Sequence, residues 1–493
     1  MTAPTAPYAP APTAYAEELL SRRLARSAAA RTDGVTALSD YHQWFAACAE
    51  RSFTEVEPVP LDELTGWHRE PGTGNLVHDS GRFFSVGGVA VERPGAAAPG
   101  WSQPVINQPE TGILGILMSE FDGIAHFLMQ AKVEPGNHNG LQLSPTVQAT
   151  RSNYTGAHRG RPVPYVEYFR NAARHTVIAD VRQSEQGAWF YRKRNRNMIV
   201  EVREPVEVRD GFRWMTLGQI HELLALDDMV NMDSRAVLSC LPFTGPGLAQ
   251  AVAWAPDAFQ AALLRSCEIG ADGGRHTTAE ILNWITETRS TTELLVRQVP
   301  LDQVTGWHAA GGRISHESGL FFDVMGVRVR ARGREVDQWA QPMIAAGRTG
   351  LIAFLTRRIN GVLHVLVQAK AEPGHNDVIE LAPTVQCTPQ NYAVLPTEAR
   401  PPFLDEVLTA APGRIRFDTT LSEEGGRFYH TRNRYLVVEA DDVGADGIGA
   451  DGHPGFRWVT LRQLTDLLRH SYYLNVEARS LVACLRSLLA GPQ

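Results

Sequence analysis

Along much of this chain hydrophobic and polar residues alternate with a period of two, the mark of strands that turn one face to a core. Segments 83–92, 112–118, 124–134, 146–149, 177–181 and 190–202 carry this alternation or the β-branched and aromatic composition of strands. Helical signals bracket them. Segments around Trp44 and Trp284 read as helices. Thr216-Leu-Gly-Gln219 and Thr460-Leu-Arg-Gln463 show the capping-box spacing, in which a Thr hydroxyl and a Gln amide satisfy free N–H groups at a helix start. The pattern predicts an α+β fold with mostly antiparallel sheets closed by helices.

The same order of signals occurs twice. Gly66-Trp67-His68 recurs as Gly306-Trp307-His308, and Gln130-Ala131-Lys132 with Glu134-Pro135-Gly136 recurs as Gln368-Ala369-Lys370 with Glu372-Pro373-Gly374. Pro145-Thr146-Val147-Gln148 matches Pro383-Thr384-Val385-Gln386, and Arg194-Asn195-Arg196 matches Arg432-Asn433-Arg434. The shift stays constant from Gln130 to Arg196. It widens by Phe212, whose copy is Phe456, because the second unit carries a Gly/Asp-rich stretch at 441–452 that reads as a surface loop. The expected division is a disordered Ala/Pro/Thr-rich arm at 1–35, a first unit at 36–240, a connector at 241–275 bearing an amphipathic helix near 258–269, and a second unit at 276–493.

A chain of 493 residues with 43% hydrophobic and 20% charged residues has material for more than one sizeable core. Its net charge of -7 argues against a dedicated nucleic-acid or membrane-surface binder. Five scattered cysteines show no metal or redox spacing and fit a reducing cytoplasm. No apolar stretch approaches the roughly 20 residues of a membrane span, and the N-terminus lacks the basic and apolar regions of a signal peptide. With no HExxH, GxGxxG or GxxxxGK[ST] pattern, neither a metal nor a dinucleotide or P-loop cofactor is expected.

Strand parity points to where chemistry could sit. In 124–134, Phe127, Met129, Ala131 and Val133 form an apolar face, while His126, Leu128, Gln130, Lys132 and Glu134 form the other. The next strand repeats the division, with Gln142, Ser144, Thr146 and Gln148 on the polar side. Two neighbouring strands of uncharged donors with one Lys/Glu pair make a floor for a polyhydroxy ligand; the competing reading is a solvated sheet face. Arg192, Arg194 and Arg196 offer guanidinium forks for a diphosphate, or else mark a charged edge strand. Trp67, Trp101, Tyr154 and Trp189 could each stack on a base, or belong to the core.

Residues 81–240 and their second copy resemble the NDP-hexose 2,3-dehydratases, through Gln130-Ala-Lys-Val-Glu-Pro-Gly-Asn137, Leu143-Ser-Pro-Thr-Val-Gln148, Gln183-Ser-Glu-Gln-Gly187 and Phe190-Tyr-Arg-Lys-Arg-Asn-Arg196. The resemblance implies two tandem Nudix-like domains without the Nudix box, a homodimer, no cofactor, and a dTDP-4-keto-6-deoxyglucose substrate. Removal of the C3 proton and loss of the C2 hydroxyl would give a 3,4-diketone for deoxysugar biosynthesis, to be consumed by a ketoreductase. We place Lys132 and Glu134 near the reacting carbons, with Glu185, Tyr154 and His138 as rival proton carriers. Gln130, Gln142, Ser144, Thr146, Gln148, Asn153 and Trp67 would hold sugar and base, and Arg192, Arg194 and Arg196 the diphosphate.

A second pocket, expected to bind without reacting, would use Lys370, Glu372, Thr384, Gln386, Arg432 and Arg434. Its loss of function is read from Gln142, Ser144, Gln183, Trp189 and Arg192 becoming Glu380, Ala382, Leu421, Arg427 and His430. A site shared by both halves, a non-catalytic nucleotide-sugar-binding protein, and a hydrolase or epimerase remain the alternatives.

Overall fold

The computed structural model describes residues 14–32, 34–154, 162–248, 257–270, 272–331, 336–440 and 453–489. The first half contributes strands β1 (Thr54–Val59), β2 (Trp67–Arg69), β3 (Leu76–His78), β4 (Ser85–Glu92), β5 (Gly100–Asn107), β6 (Gly112–Phe121), β7 (Ile124–Val133), β8 (Leu141–Ser144), β9 (Val147–Ala149), β10 (Thr176–Ser184), β11 (Arg194–Glu201) and β12 (Phe212–Thr216). The second half repeats them as β13 (Leu295–Val299), β14 (Trp307–Ala310), β15 (Arg313–His316), β16 (Asp323–Ala331), β17 (Gln338–Ala345), β18 (Gly350–Ile359), β19 (Val362–Ala371), β20 (Ile379–Ala382), β21 (Val385–Cys387), β22 (Ile415–Ser422), β23 (Arg432–Glu439) and β24 (Phe456–Thr460).

Each half holds a seven-stranded sheet, ordered β10-β11-β6-β7-β12 with β8 and β9 attached to β7 and β6, and the second copy is built alike. All pairs are antiparallel except β11 with β6 and β23 with β18. The α+β expectation holds. Two smaller five-stranded sheets show what the sequence did not: the halves exchange strands. β1 pairs with β16, from Thr54 opposite Ala331 to Val59 opposite Gly326, and β13 pairs with β4 in return. Exposed ion pairs such as Arg328 with Glu57 at 3.0 Å border the exchanged strand; such pairs contribute about 1 kcal/mol at most, so the backbone ladder and the packing of Val56 and Val59 against the other half carry this contact.

The arm expected to be disordered contains a helix. Helix Ala14–Ala29 buries Leu24, Ala25 and Ala28, and its Ser27 hydroxyl accepts the Leu217 N–H at 2.9 Å. Helix Ala258–Glu268 does the same for the second half: Phe259, Leu263 and Leu264 are buried, and Ser266 accepts the Leu461 N–H at 2.8 Å. The connector is therefore the opening helix of the second unit, and the arm holds that of the first. Residues 1–13 and the insertion at 441–452 lie outside the described residues.

One core runs through both halves. Phe127, Met129, Leu143 and Val237 of the first share it with Val365, Val367, Leu381 and Leu481 of the second. Inside it, Arg235 and Arg479 are fully buried and reach across: Arg235 donates to the Val230 carbonyl at 2.7 Å and to that of Ser422 at 2.8 Å, while Arg479 donates to Leu474 at 2.8 Å and to Ser184 at 2.6 Å. A buried guanidinium is tolerated only when such acceptors satisfy it.

The repeated Glu-Pro-Gly motif joins the halves. Gly136 donates to the Gly425 carbonyl at 2.7 Å and accepts from the His430 N–H at 2.8 Å; Gly374 donates to Gly187 at 2.7 Å and accepts from Arg192 at 3.0 Å. A Cβ on Gly136 would stand 1.9 Å from the Phe428 oxygen, and one on Gly374 1.7 Å from that of Phe190. Only glycine permits this approach.

Candidate functional site

Where the two halves meet, a cleft of about 600 Å³ opens, within the range of small-ligand sites. The first half lines it with Trp67, His78, Arg82, Phe83, Gln108 and Asn153; the second contributes Gln338, Trp339, Gln341 and Arg427. Trp67 is anchored by its indole N–H, which donates to the Ala340 carbonyl at 2.8 Å, and packs against Phe84. The cleft thus offers aromatic walls and guanidinium groups from both halves, with amide side chains between them.

The polar end of β7 adjoins this cleft: Glu134 precedes the cleft residue Pro135, and Gln148 stands two residues before the cleft residue Thr150. Lys132 Nζ lies 3.9 Å from Glu134 Oε1 and donates to the Gln148 carbonyl at 3.3 Å. The Gln148 amide donates to Glu134 Oε1 at 2.7 Å, and Asn231 donates to Gln148 Oε1 at 3.3 Å. Two more carboxyls, Asp233 and Glu424, interact electrostatically with Glu134, and Glu185 interacts with both of them. Burial, with Glu185, Glu134 and Glu424 nearby, pushes Asp233 well above the usual range. Burial likewise raises Glu185, against the pull of Arg479 and Lys193, and burial with the neighbouring Glu134 raises Glu424 to about 7. Burial brings Lys193 down to about 8, against the attraction of Glu185. Glu424 and Lys193 are thereby brought close to neutrality, where acid-base chemistry operates.

The second half repeats the floor with one decisive change. Lys370 Nζ stands 3.4 Å from Glu372 Oε1 and donates to the Gln386 carbonyl at 3.0 Å; Gln386 donates to Glu372 at 3.0 Å. His375, in the position of Asn137, places Nε2 3.3 Å from Glu372 Oε2. Burial opposes ionisation of Glu372, but Lys370 and His375 outweigh it and hold the carboxyl low. At the positions of Arg82 and Arg427 stand Leu320 and Trp189 in the other copy.

Of the residues singled out in the sequence, Lys132, Glu134, Gln148 and Glu185 fall in or beside the carboxylate group, and Trp67 and Asn153 line the cleft. Gln130 is half-buried on the same face of β7, paired with Ser144. Several do not serve as expected. The Thr146 hydroxyl is consumed by backbone, donating to Leu128 and accepting from Leu117 N–H at 2.9 Å; Thr384 is bound in the same way to Leu366 and Leu355. Ser144 accepts from Asn231 at 2.9 Å. Gln142 donates to Ser422 Oγ at 2.5 Å across the halves, and its counterpart Glu380 accepts from Ser184 at 2.5 Å. Gln183 likewise crosses, to the Leu468 and His470 carbonyls. These substitutions between the copies tune the contact between halves.

The arginine run is placed differently from either reading. β11 lies between β10 and β6 and is no edge strand. Arg196 grips Asp180 with both nitrogens, at 2.6 and 2.5 Å, and Arg434 grips Asp418 at 2.7 and 2.5 Å. Arg194 donates to the Arg192 carbonyl and to Asn376, the exposed Arg192 stacks over Tyr191, and Arg432 pairs with Asp228 at 2.6 Å. Strand parity explains this: positions 194 and 196 share the face of Met198 and Val200, which packs in the outer cluster with Phe169. Tyr154 joins that cluster beneath Arg170, and the exposed His138 meets His430. Trp101 is exposed, and Trp189 packs on Phe428.

Sequence reasoning missed Arg82, Asp233, Trp339 and Glu424. It noted Arg427 but assigned it to the wrong pocket. Among the described residues no group of three or more His, Cys, Asp and Glu side chains could hold a metal ion, and no helix is long and apolar enough to cross a membrane.

The family model for NDP-hexose 2,3-dehydratase matches residues 38–241 and again 278–485. The chain is 50% identical to a dTDP-4-dehydro-6-deoxy-alpha-D-glucopyranose 2,3-dehydratase from Saccharopolyspora spinosa, over 95% of this chain and 96% of that protein. It is 49% identical to a protein of the same name from Amycolatopsis orientalis, over 96% and 95% of the two chains. A third of that name, from Streptomyces violaceoruber, is 45% identical over 92% and 98%.

Proposed function

The chain belongs to the NDP-hexose 2,3-dehydratase family, and from that premise we propose that it takes dTDP-4-keto-6-deoxyglucose and removes the C2 hydroxyl as water, leaving a 3,4-diketo-2,6-dideoxy sugar nucleotide. The observation that supports this at the level of residues is the Lys132–Glu134–Gln148 group beside a cleft with aromatic walls and two guanidinium groups. The C4 ketone acidifies the proton on C3. Glu134, beside the Lys132 ammonium and oriented by the Gln148 amide, is the base. Gln148 and Asn153 orient the sugar, Trp67 stacks on the base, and Arg82 meets the diphosphate.

The first half carries turnover in this reading. Glu372 is occupied by His375 as well as Lys370, and Leu320 stands in place of Arg82, so the second pocket retains at most binding. Each half is read as a Nudix-like fold without the Nudix box. A homodimer and a ketoreductase acting on the reactive diketone accompany the family reading, and five unpaired thiols suit a reducing cytoplasm.

The test is incubation of the purified protein with dTDP-4-keto-6-deoxyglucose, with the diketone trapped by o-phenylenediamine. Lys132→Met and Glu134→Gln should each lower the rate at least about tenfold, while Lys370→Met and Glu372→Gln alter mainly stability or binding stoichiometry. Unchanged substrate with folded, nucleotide-binding protein would sink the activity. Loss of turnover from the second pair alone would reverse the assignment of halves.

A further inference from the structure

The segment Glu424-Gly-Gly-Arg427 belongs to the second half by sequence, yet Gly426 and Arg427 line the cleft beside the first half's Pro135. The handshake at Gly136 explains this: the Gly425 carbonyl accepts the Gly136 N–H at 2.7 Å, and a Cβ on Gly425 would stand 2.9 Å from Glu134 Cβ. Arg427 stacks over Phe84 at 4.1 Å and donates through Nη1 to the Gly426 carbonyl at 2.7 Å. Its Nε is buried and has no hydrogen-bond partner among the described residues, and the same holds for Glu424 Oε2. Glu424 Oε1 accepts the Gly426 N–H at 3.1 Å. A buried donor and a buried acceptor without partners destabilise the fold, a cost that a ligand would relieve. The matched segment of the first half reads Gln186-Gly-Ala-Trp189, so both charged groups occur in one copy only.

We propose that the second half completes the first half's site in trans, with Arg427 binding the C4 oxygen as it becomes an oxyanion and Glu424 giving the proton that the departing C2 hydroxyl takes. This rests on the dehydratase reading and adds two reacting groups to it. Glu134 takes the C3 proton, and the C–H electrons form the C3–C4 double bond of an enolate, whose oxygen charge Arg427 offsets. Return of the C4 ketone moves the double bond to C2–C3 and breaks the C2–O bond; hydroxide takes the Glu424 proton and leaves as water. The C3 enol then loses its hydroxyl proton while C2 gains one, giving the 3,4-diketone. The proton held by Glu134 passes to the Glu424 carboxylate and resets both. Glu424, raised to about 7 by burial and by Glu134, suits a group that must hold and release a proton near neutrality.

Steady-state rates on the 4-keto sugar, with dTDP binding measured on the same samples, test this. Glu424→Gln should lower kcat at least about tenfold with KM nearly unchanged, and should abolish the fall of kcat above about pH 7 that loss of the Glu424 proton produces. Glu424→Asp should recover part of the loss. Arg427→Leu should lower kcat about a hundredfold while dTDP binding persists, and Arg427→Lys should restore part of it. An unchanged kcat in Glu424→Gln, or equal rates for the Gln and Asp variants, overturns the acid assignment. Loss of dTDP binding in folded Arg427→Leu in step with kcat makes Arg427 a phosphate ligand and overturns its role. A wild-type protein that makes no diketone instead overturns the dehydratase reading itself.

Discussion

Glu134 and Glu372 occupy matched positions with matched lysines, and the residue three places on separates their fates. Asn137 is neutral. His375 is buried among Glu372, Glu380 and Glu477; burial alone would keep it neutral, but these carboxyls prevail and raise it to about 9. A histidine held above its unfolded value of about 6.5 stabilises the fold fully below that pH, and the contribution is lost as pH rises through about 9. His375→Asn, which installs the first half's residue, should therefore lower the denaturant midpoint at pH 6 and much less at pH 10. An equal deficit at both would show that His375 is not charged in the fold. At this scale Lys132 and Glu134 were legible because parity alone places them. Arg196 was misread because its partner, Asp180, lies on the neighbouring strand, and Arg427 because nothing local tells which half's pocket a side chain enters.

Elements were legible where the signal is local. The capping boxes at Thr216 and Thr460 form with both reciprocal hydrogen bonds, and β7 keeps the expected division of faces, with Phe127 and Met129 in the shared core and Leu128 in the outer cluster. The exchange of β1 and β13 was not legible, since an alternating strand presents the same pattern to any partner and the pairing joins segments far apart in sequence. The Glu-Pro-Gly repeat was visible, but its role belongs to the contact between halves. Gly136→Ala and Gly374→Ala should each cost about 2 kcal/mol or more, because a methyl group would displace the backbone carbonyl of Phe428 or Phe190. Urea unfolding would register this as a lower midpoint. Because the slope of stability against urea grows with chain size, a loss of that size shifts the midpoint by only about 0.4 M, so midpoints unchanged within about 0.1 M would mean the two loops can part without cost.

At the scale of the whole molecule, two tandem units in sequence become one cooperative body. Each half lends a strand to the other's small sheet, each buries an arginine against the other's backbone, and the largest hydrophobic cluster draws on both. Separation would expose that core, deprive Arg235 and Arg479 of their acceptors in the other half, and open two sheet edges, each of which is among the costliest changes a fold can undergo. A chain divided between the helices Met232–Ser239 and Ala258–Glu268 should therefore give fragments that do not fold when produced singly. Produced together, they should assemble one to one and recover turnover, since the cleft takes Trp67 and Arg82 from one fragment and Trp339 and Arg427 from the other. Intact protein should unfold in a single transition by circular dichroism and by tryptophan fluorescence alike. A first-half fragment that is monomeric, folded and active by itself would refute both the shared core as the source of stability and the shared cleft as the seat of the reaction.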